Sequence, residues 1–149
     1  MAEFRSSSRS RDLGDGSNFD SVVGALLTWR IHRDAGYRAI VAPSRVTAGA
    51  TFVARVPWFP VTVRCQVTEV FEEADRAGFR YATLRGHPLE GEELFLVEVV
   101  DGRTVFSVSE RSRPARWLMH LPGARRVQAK INARYLTVAA RIAATAPSP

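Results

Sequence analysis

Two segments with helical periodicity enclose a long stretch of period two, and this change of hydrophobic rhythm limits the chain more than any other feature. Val61, Val63, Cys65 and Val67 alternate with Thr62, Arg64, Gln66 and Thr68, and Gly78–Leu84 places Phe79, Tyr81 and Thr83 on one face. Glu93–Val100 and Arg103–Ser109 follow, joined by Asp101-Gly102, a preferred two-residue hairpin turn. Thr51–Val56 adds a further strand, and Pro57-Trp58-Phe59-Pro60 reads as an apolar turn. Alternation of this kind gives each strand one buried and one wet face, as antiparallel sheets require. About five strands result, each beside its neighbour in sequence.

Ahead of this region, Phe19, Val22, Val23, Leu26, Leu27 and Arg30 follow the i, i+3, i+4, i+7 spacing of an amphipathic helix. That helix is predicted over 17–35, capped by Ser17 or Asn18 and stopped at Gly36. Residues 1–16 are a tail or an edge strand, the latter suggested by Phe4, Ser6, Ser8 and Ser10 at alternate positions. Behind the strands, Val127, Ile131, Tyr135, Val138 and Ile142 form one apolar stripe. A C-terminal helix is predicted over 113–144, with Ser112 as cap, Pro114 in the first turn, and a break at Pro122-Gly123 after Trp117, Leu118 and Leu121. Arg125, Arg126, Lys130, Arg134 and Arg141 lie off the stripe.

These elements bury their apolar faces together if an antiparallel sheet over 45–111 wraps the terminal helix. The predicted class is α+β, one domain over 1–149, with about five to seven strands if the N-terminal segment joins the sheet. The order resembles the helix-grip arrangement of lipid-transfer and polyketide-cyclase domains, which often leaves a cavity between sheet and helix.

At 149 residues, 46% apolar and 24% charged, the chain is the size of one domain with a core. No apolar run approaches the ~20 residues of a membrane span, and no apolar segment follows the polar start. The single cysteine, Cys65, precludes an internal disulfide, and no Cys/His cluster suggests a metal. A cytoplasmic, bacterial-type protein without cofactor is expected. The net charge of +6 comes almost wholly from arginine, Lys130 being the only lysine. Such a balance suits nucleic acid, but the spaced aromatics of a single-strand-binding sheet are missing from the outer strand faces.

Particular residues sharpen this reading. Leu13-Gly14-x-Gly16, Ala25-Leu26-Leu27-x-Trp29-Arg30-x-His32-Arg33-x-Ala35-Gly36 and Gly78-Phe79-x-Tyr81-x-Thr83-Leu84-x-Gly86-His87-Pro88-x-x-Gly91-Glu92-Glu93-x-Phe95 resemble the domain-of-unknown-function 1990 family. Ser112-Arg113-Pro114, Gln128 and Arg134-Tyr135-Leu136 continue the resemblance. Leu89 stands where that family tends to carry an acid, and Ala82 where it usually has Gly. The resemblance implies a fold more than a function.

The chemistry concentrates around the His-Pro loop, where His87, Glu90, Glu92 and Glu93 fall within seven residues. A histidine near carboxylates is the raw material of acid/base catalysis. His87 is the candidate acid/base, Glu93 its orienting group or second acid, and Tyr81 a hydrogen-bond donor. Trp29, Arg33, Phe79, Thr83, Glu90 and Arg113 are candidate ligand-binding residues, with Arg33 and Arg113 suited to an anion. His32 reads as a surface or internally satisfied residue. The expected partner is a small hydrophobic molecule, acted on by cyclase-, isomerase- or hydratase-type chemistry of a carbonyl compound. The alternative is a non-catalytic module meeting an acidic partner, nucleic acid or membrane surface through its basic terminal helix.

Overall fold

The structure, a computed structural model, describes residues 3–58, 61–116 and 123–146. Its strands are β1 (Arg5–Asp15), β2 (Arg38–Val41), β3 (Thr51–Arg55), β4 (Thr62–Glu72), β5 (Arg76–Thr83), β6 (Leu89–Val100) and β7 (Arg103–Pro114). The helices are α1 (Phe19–Leu27), α2 (Arg30–Asp34) and α3 (Ala124–Ala144). One seven-stranded sheet runs β1-β7-β6-β5-β4-β3-β2, every neighbouring pair antiparallel. The N-terminal segment is therefore an edge strand, and it pairs with the last strand rather than the second. The helical pair α1–α2 carries the chain to the opposite edge, while α3 packs on the inner face.

The strand pattern follows the alternation closely. Val63, Cys65 and Val67 are buried while Arg64 and Gln66 are exposed. Asp101-Gly102 forms the β6–β7 turn with both residues at positive φ, the geometry that matches strand twist. Two glycines let the strands coil tightly. A Cβ on Gly78 would lie 1.9 Å from the Phe95 carbonyl oxygen, and one on Gly91 2.0 Å from that of Arg111.

Three boundaries differ from expectation. The helix predicted over 17–35 breaks at Trp29, which takes a left-handed conformation at φ 64°. Burial of its indole offsets that strain: Trp29 stacks on Phe52 at 4.5 Å and donates Nε1–H to the Pro43 carbonyl at 3.0 Å. The break turns Ile31 and His32 inward. The sheet begins at Arg38, because β2 pairs with β3 through only a few residues and lacks an apolar alternation of its own. The terminal helix starts at Ala124, not near 113. Ser112 and Pro114 instead extend β7 against the full length of β6, Pro114 opposite Leu89, where a residue without N–H ends the ladder. The expectations for Trp117, Leu118 and Leu121 lie outside the described residues.

The core is strongly aromatic. Trp29, Tyr37, Phe52, Phe79, Tyr81, Phe95 and Tyr135 all place their rings within 6.0 Å of the His32 ring. α3 meets them with Ile131, Tyr135, Val138, Ala139 and Ile142, all buried as the stripe predicts.

Candidate functional site

Two small cavities survive between the sheet and the start of α3. The outer, apolar one is lined by Tyr37, Val56, Val63, Pro88, Val127 and Ile131 among others. The inner, polar one lies against Tyr81, Thr83, Glu93, Glu110, Ser112 and Gln128. His87, Leu89 and Gln128 line both. As space open to the centre of a water-sized sphere, they measure about 30 Å3 and about 20 Å3. Each has room for a water or two, since roughly 10–15 Å3 on this measure admits one. His87, Thr83 and Gly91 also border an open surface groove, so His87 stands between solvent and both cavities.

The inner pocket is polar because inward positions of three strands carry polar residues there. Tyr81 of β5 faces Glu93 of β6, and Glu93 faces Glu110 of β7. Glu93 is 8% exposed and Ser112 4%, and the Oε1 of one and the Oγ of the other have no hydrogen-bond partner. Burial, reinforced by the nearby Glu110, raises the Glu93 carboxyl well above the usual carboxylate range. Gln128 donates its side-chain amide to Asn132 Oδ1 at 2.8 Å, which leaves its carbonyl oxygen to accept.

His87 is held by its own loop. Its Nδ1 accepts the Leu89 N–H at 3.0 Å, so the ring proton of the neutral form resides on Nε2. Burial lowers its pKa to about 4. No hydrogen bond joins His87 to Glu93 among the described residues; a backbone amide, not a carboxylate, orients the ring. The Tyr81 hydroxyl lies 3.1 Å from His32 Nε2, and burial raises its pKa. His32 is fully buried and its pKa falls to about 3 for the same reason, so it is neutral.

The remaining sequence candidates fall in three places. Phe79 and Trp29 belong to the aromatic core, Phe79 stacked on Phe95 at 4.9 Å. Thr83 lines the inner pocket and accepts the Gly91 N–H through Oγ1 at 3.0 Å. Glu90 and Arg113 sit opposite each other on the outward face of β6 and β7, joined at 3.0 Å, and Arg113 also covers the Phe4 ring. Arg33 is exposed on α2, away from both cavities.

Sequence reasoning missed Glu110, Ser112 and Gln128 as pocket residues; for His32 the internal alternative holds, its Nε2 hydrogen-bonded to Tyr81 within the core. Counting outward from the Asp101-Gly102 turn would have placed Glu110 opposite Glu93. Nothing in the helical period revealed His32, because that period assumed no break at Trp29.

Among the described residues no helix is long and apolar enough to cross a membrane, and no cluster of three His, Cys, Asp or Glu could hold a metal. The fold is shared with solved structures of low sequence identity. A hypothetical protein, jhp0584, from Helicobacter pylori matches at TM-score 0.71 and 16% identity, over 95% of this chain and 88% of that one. Norcoclaurine synthase from Thalictrum flavum, in complex with dopamine and hydroxybenzaldehyde, matches at TM-score 0.68 and 10% identity, over 99% and 91%. Ara h 8.0201 matches at TM-score 0.60 and 11% identity, over 95% and 99%. These likenesses show the helix-grip fold. No curated protein matches the chain. A family model described as a domain of unknown function, DUF1990, matches residues 2–138, and the chain belongs to that family.

Proposed function

We propose that the protein binds a small amphiphilic molecule between its sheet and α3, with a polar head in the inner pocket and an apolar body in the outer cavity. The observation that carries this reading is the pair of unpartnered buried oxygens, Glu93 Oε1 and Ser112 Oγ, both lining one pocket. A buried polar atom without a partner costs about 1–3 kcal/mol, a penalty that a bound group can remove. The adjoining apolar walls, Val56, Val63, Val127 and Ile131, favour a hydrocarbon portion. A synthase of the same fold holds dopamine and hydroxybenzaldehyde, molecules of a similar scale.

The two cavities are far below the ~300–1,000 Å3 of a drug-sized site. The ligand is therefore small, or α3 and the His-Pro loop move outward to admit it. The chemistry such a pocket supports is acid/base catalysis. Glu93, which burial holds above the usual carboxylate range, is the group that meets the polar head and exchanges a proton there. His87 serves as a second donor through Nε2–H, with its Nδ1 occupied by the Leu89 amide. Tyr81 forms one wall, its hydroxyl positioned by His32.

Native mass spectrometry of freshly purified protein, followed by thermal melting with a panel of four- to six-carbon amphiphiles, tests this reading. A retained small molecule, or stabilisation that Val127→Trp abolishes by filling the outer cavity, is expected. No adduct and no stabilisation by any panel member would overturn it.

A further inference from the structure

The protein carries a net charge of +6, yet the charged side chains facing the inner pocket are Glu93 and Glu110, and no Arg or Lys is among the described lining residues; Glu92, on the outer face of β6, pairs with Arg80. Glu93 and Glu110 are directly opposite across β6 and β7 on the inward face. The α3 cation at this end of the sheet, Arg125, donates to the Ser112 carbonyl oxygen at 3.1 Å and is not part of the lining. His87 is neutral near pH 7 and adds no positive charge. The other titratable groups around Glu93 are Tyr81 of β5, Cys65 of β4, Tyr135 of α3 and Tyr37, all neutral because burial raises them.

Resting on the ligand site proposed above, we infer that its head group is a primary ammonium and that the ligand is a small alkyl- or arylalkylamine. Donor and acceptor counting supports this. An ammonium offers three donors and accepts nothing. The pocket presents the Glu93 carboxyl, the Ser112 hydroxyl and the free carbonyl oxygen of Gln128 as acceptors. A space of about 20 Å3 suits a group the size of one water. A carboxylate head would meet Glu110 as a like charge and oppose ionisation of Glu93, and an alcohol would use neither acid as an anion.

The proton balance is explicit. The empty pocket holds Glu93 as the neutral acid, and the amine arrives as RNH3+. Binding forms an ammonium–carboxylate pair, and the Glu93 proton leaves to solvent. The chain Glu110 remains beside the pair.

The test uses the full-length protein with n-butylamine, 1-butanol and butyrate, which share a chain length and differ only in the head. Titration is followed by calorimetry in two buffers of different ionisation heat and by backbone NMR shifts of β6 and β7. Butylamine is expected to bind at least about tenfold more tightly than butanol, equivalent to ~1.4 kcal/mol, with butyrate weakest. About one proton should be released per amine bound near neutral pH. Glu93→Gln and Glu110→Gln should each shrink the amine-over-alcohol ratio, and melting curves confirm that both variants fold. Equal binding of butanol and butylamine, or a ratio unchanged in both variants, would overturn the ammonium assignment while leaving the pocket as the ligand site. Failure of all three probes to perturb the pocket resonances would overturn both.

Discussion

Glu93 carries a stability penalty that depends on pH, and replacing it should show this directly. Burial and the adjacent Glu110 raise its pKa above the ordinary 4.5. Below that value the carboxyl is protonated in both folded and unfolded chains, and it adds no pH dependence. Above it the unfolded chain ionises while the folded protein must keep the proton. Stability therefore falls as pH rises, by about 1.4 kcal/mol per pH unit for as long as the folded carboxyl stays protonated. Glu93→Gln removes the titration and keeps the shape. Urea unfolding of both proteins from pH 4.5 to 8 should give a difference that grows with pH in favour of Gln for as long as the folded carboxyl keeps its proton. Contributions of His32, His87 and the exposed acids cancel in that difference. Parallel profiles would refute the reasoning, since they would mean that Glu93 ionises in the folded protein as readily as in the unfolded chain.

Other outcomes follow from the same structure. His32→Ala empties the centre of seven packed rings and should destabilise by about 3–5 kcal/mol in urea melts. On the acid side, His32 and His87 resist protonation down to about 3 and about 4, so the stability they retain above pH 6.5 drains away as pH falls. His32→Phe should flatten that acid limb, read by melting temperature against pH. Gly91→Ala forces a Cβ against the Arg111 carbonyl and should cost more than about 3 kcal/mol or abolish folding, read by circular dichroism. Cys65 is buried and its thiol is pushed up by that burial, so labelling of native protein should run no faster than global unfolding.

Much of the sheet was legible because period two survives wherever one face is buried. Val63 to Val67 and Phe79 to Thr83 declare their register without help from any distant contact. β1 and β2 were harder. β1 is exposed along most of its length, so its first seven residues are all Ser and Arg with no apolar alternation, and only pairing with β7 makes it a strand. β2 is four residues at an edge, too short for a period. Pro114 misled because its helix-starting preference is real, but the hairpin register set at Asp101-Gly102 extends β7 past it. The site was half legible for a related reason. Glu93 and Tyr81 share a face with apolar neighbours and could be read as inward, whereas Gln128 needs the docking of α3, which depends on contacts distant in sequence. Glu90 and Arg113 differ from Glu93 by odd steps along the ladder and accordingly pair on the outer face.

The unpartnered buried atoms set the core histidine apart from the acid of the proposed site. His32 Nδ1, Glu93 Oε1 and Ser112 Oγ share one symptom, a polar atom removed from water without a hydrogen bond. Their surroundings differ. His32 is enclosed by rings and lines neither cavity, so its other nitrogen, bonded to Tyr81, and the ring faces around it are all it meets. Its penalty is offset by packing and by the position it fixes for Tyr81. Glu93 and Ser112 open onto a space with room for about one water, bordered by His87, which also lines the open groove. An energetic cost beside such a space is what selective binding requires, because a group that satisfies both atoms at once gains over water while one that satisfies neither is rejected. The same folding energy that holds His32 neutral in the core thus keeps Glu93 and Ser112 turned to the pocket that His87 borders, as the proposed binding requires.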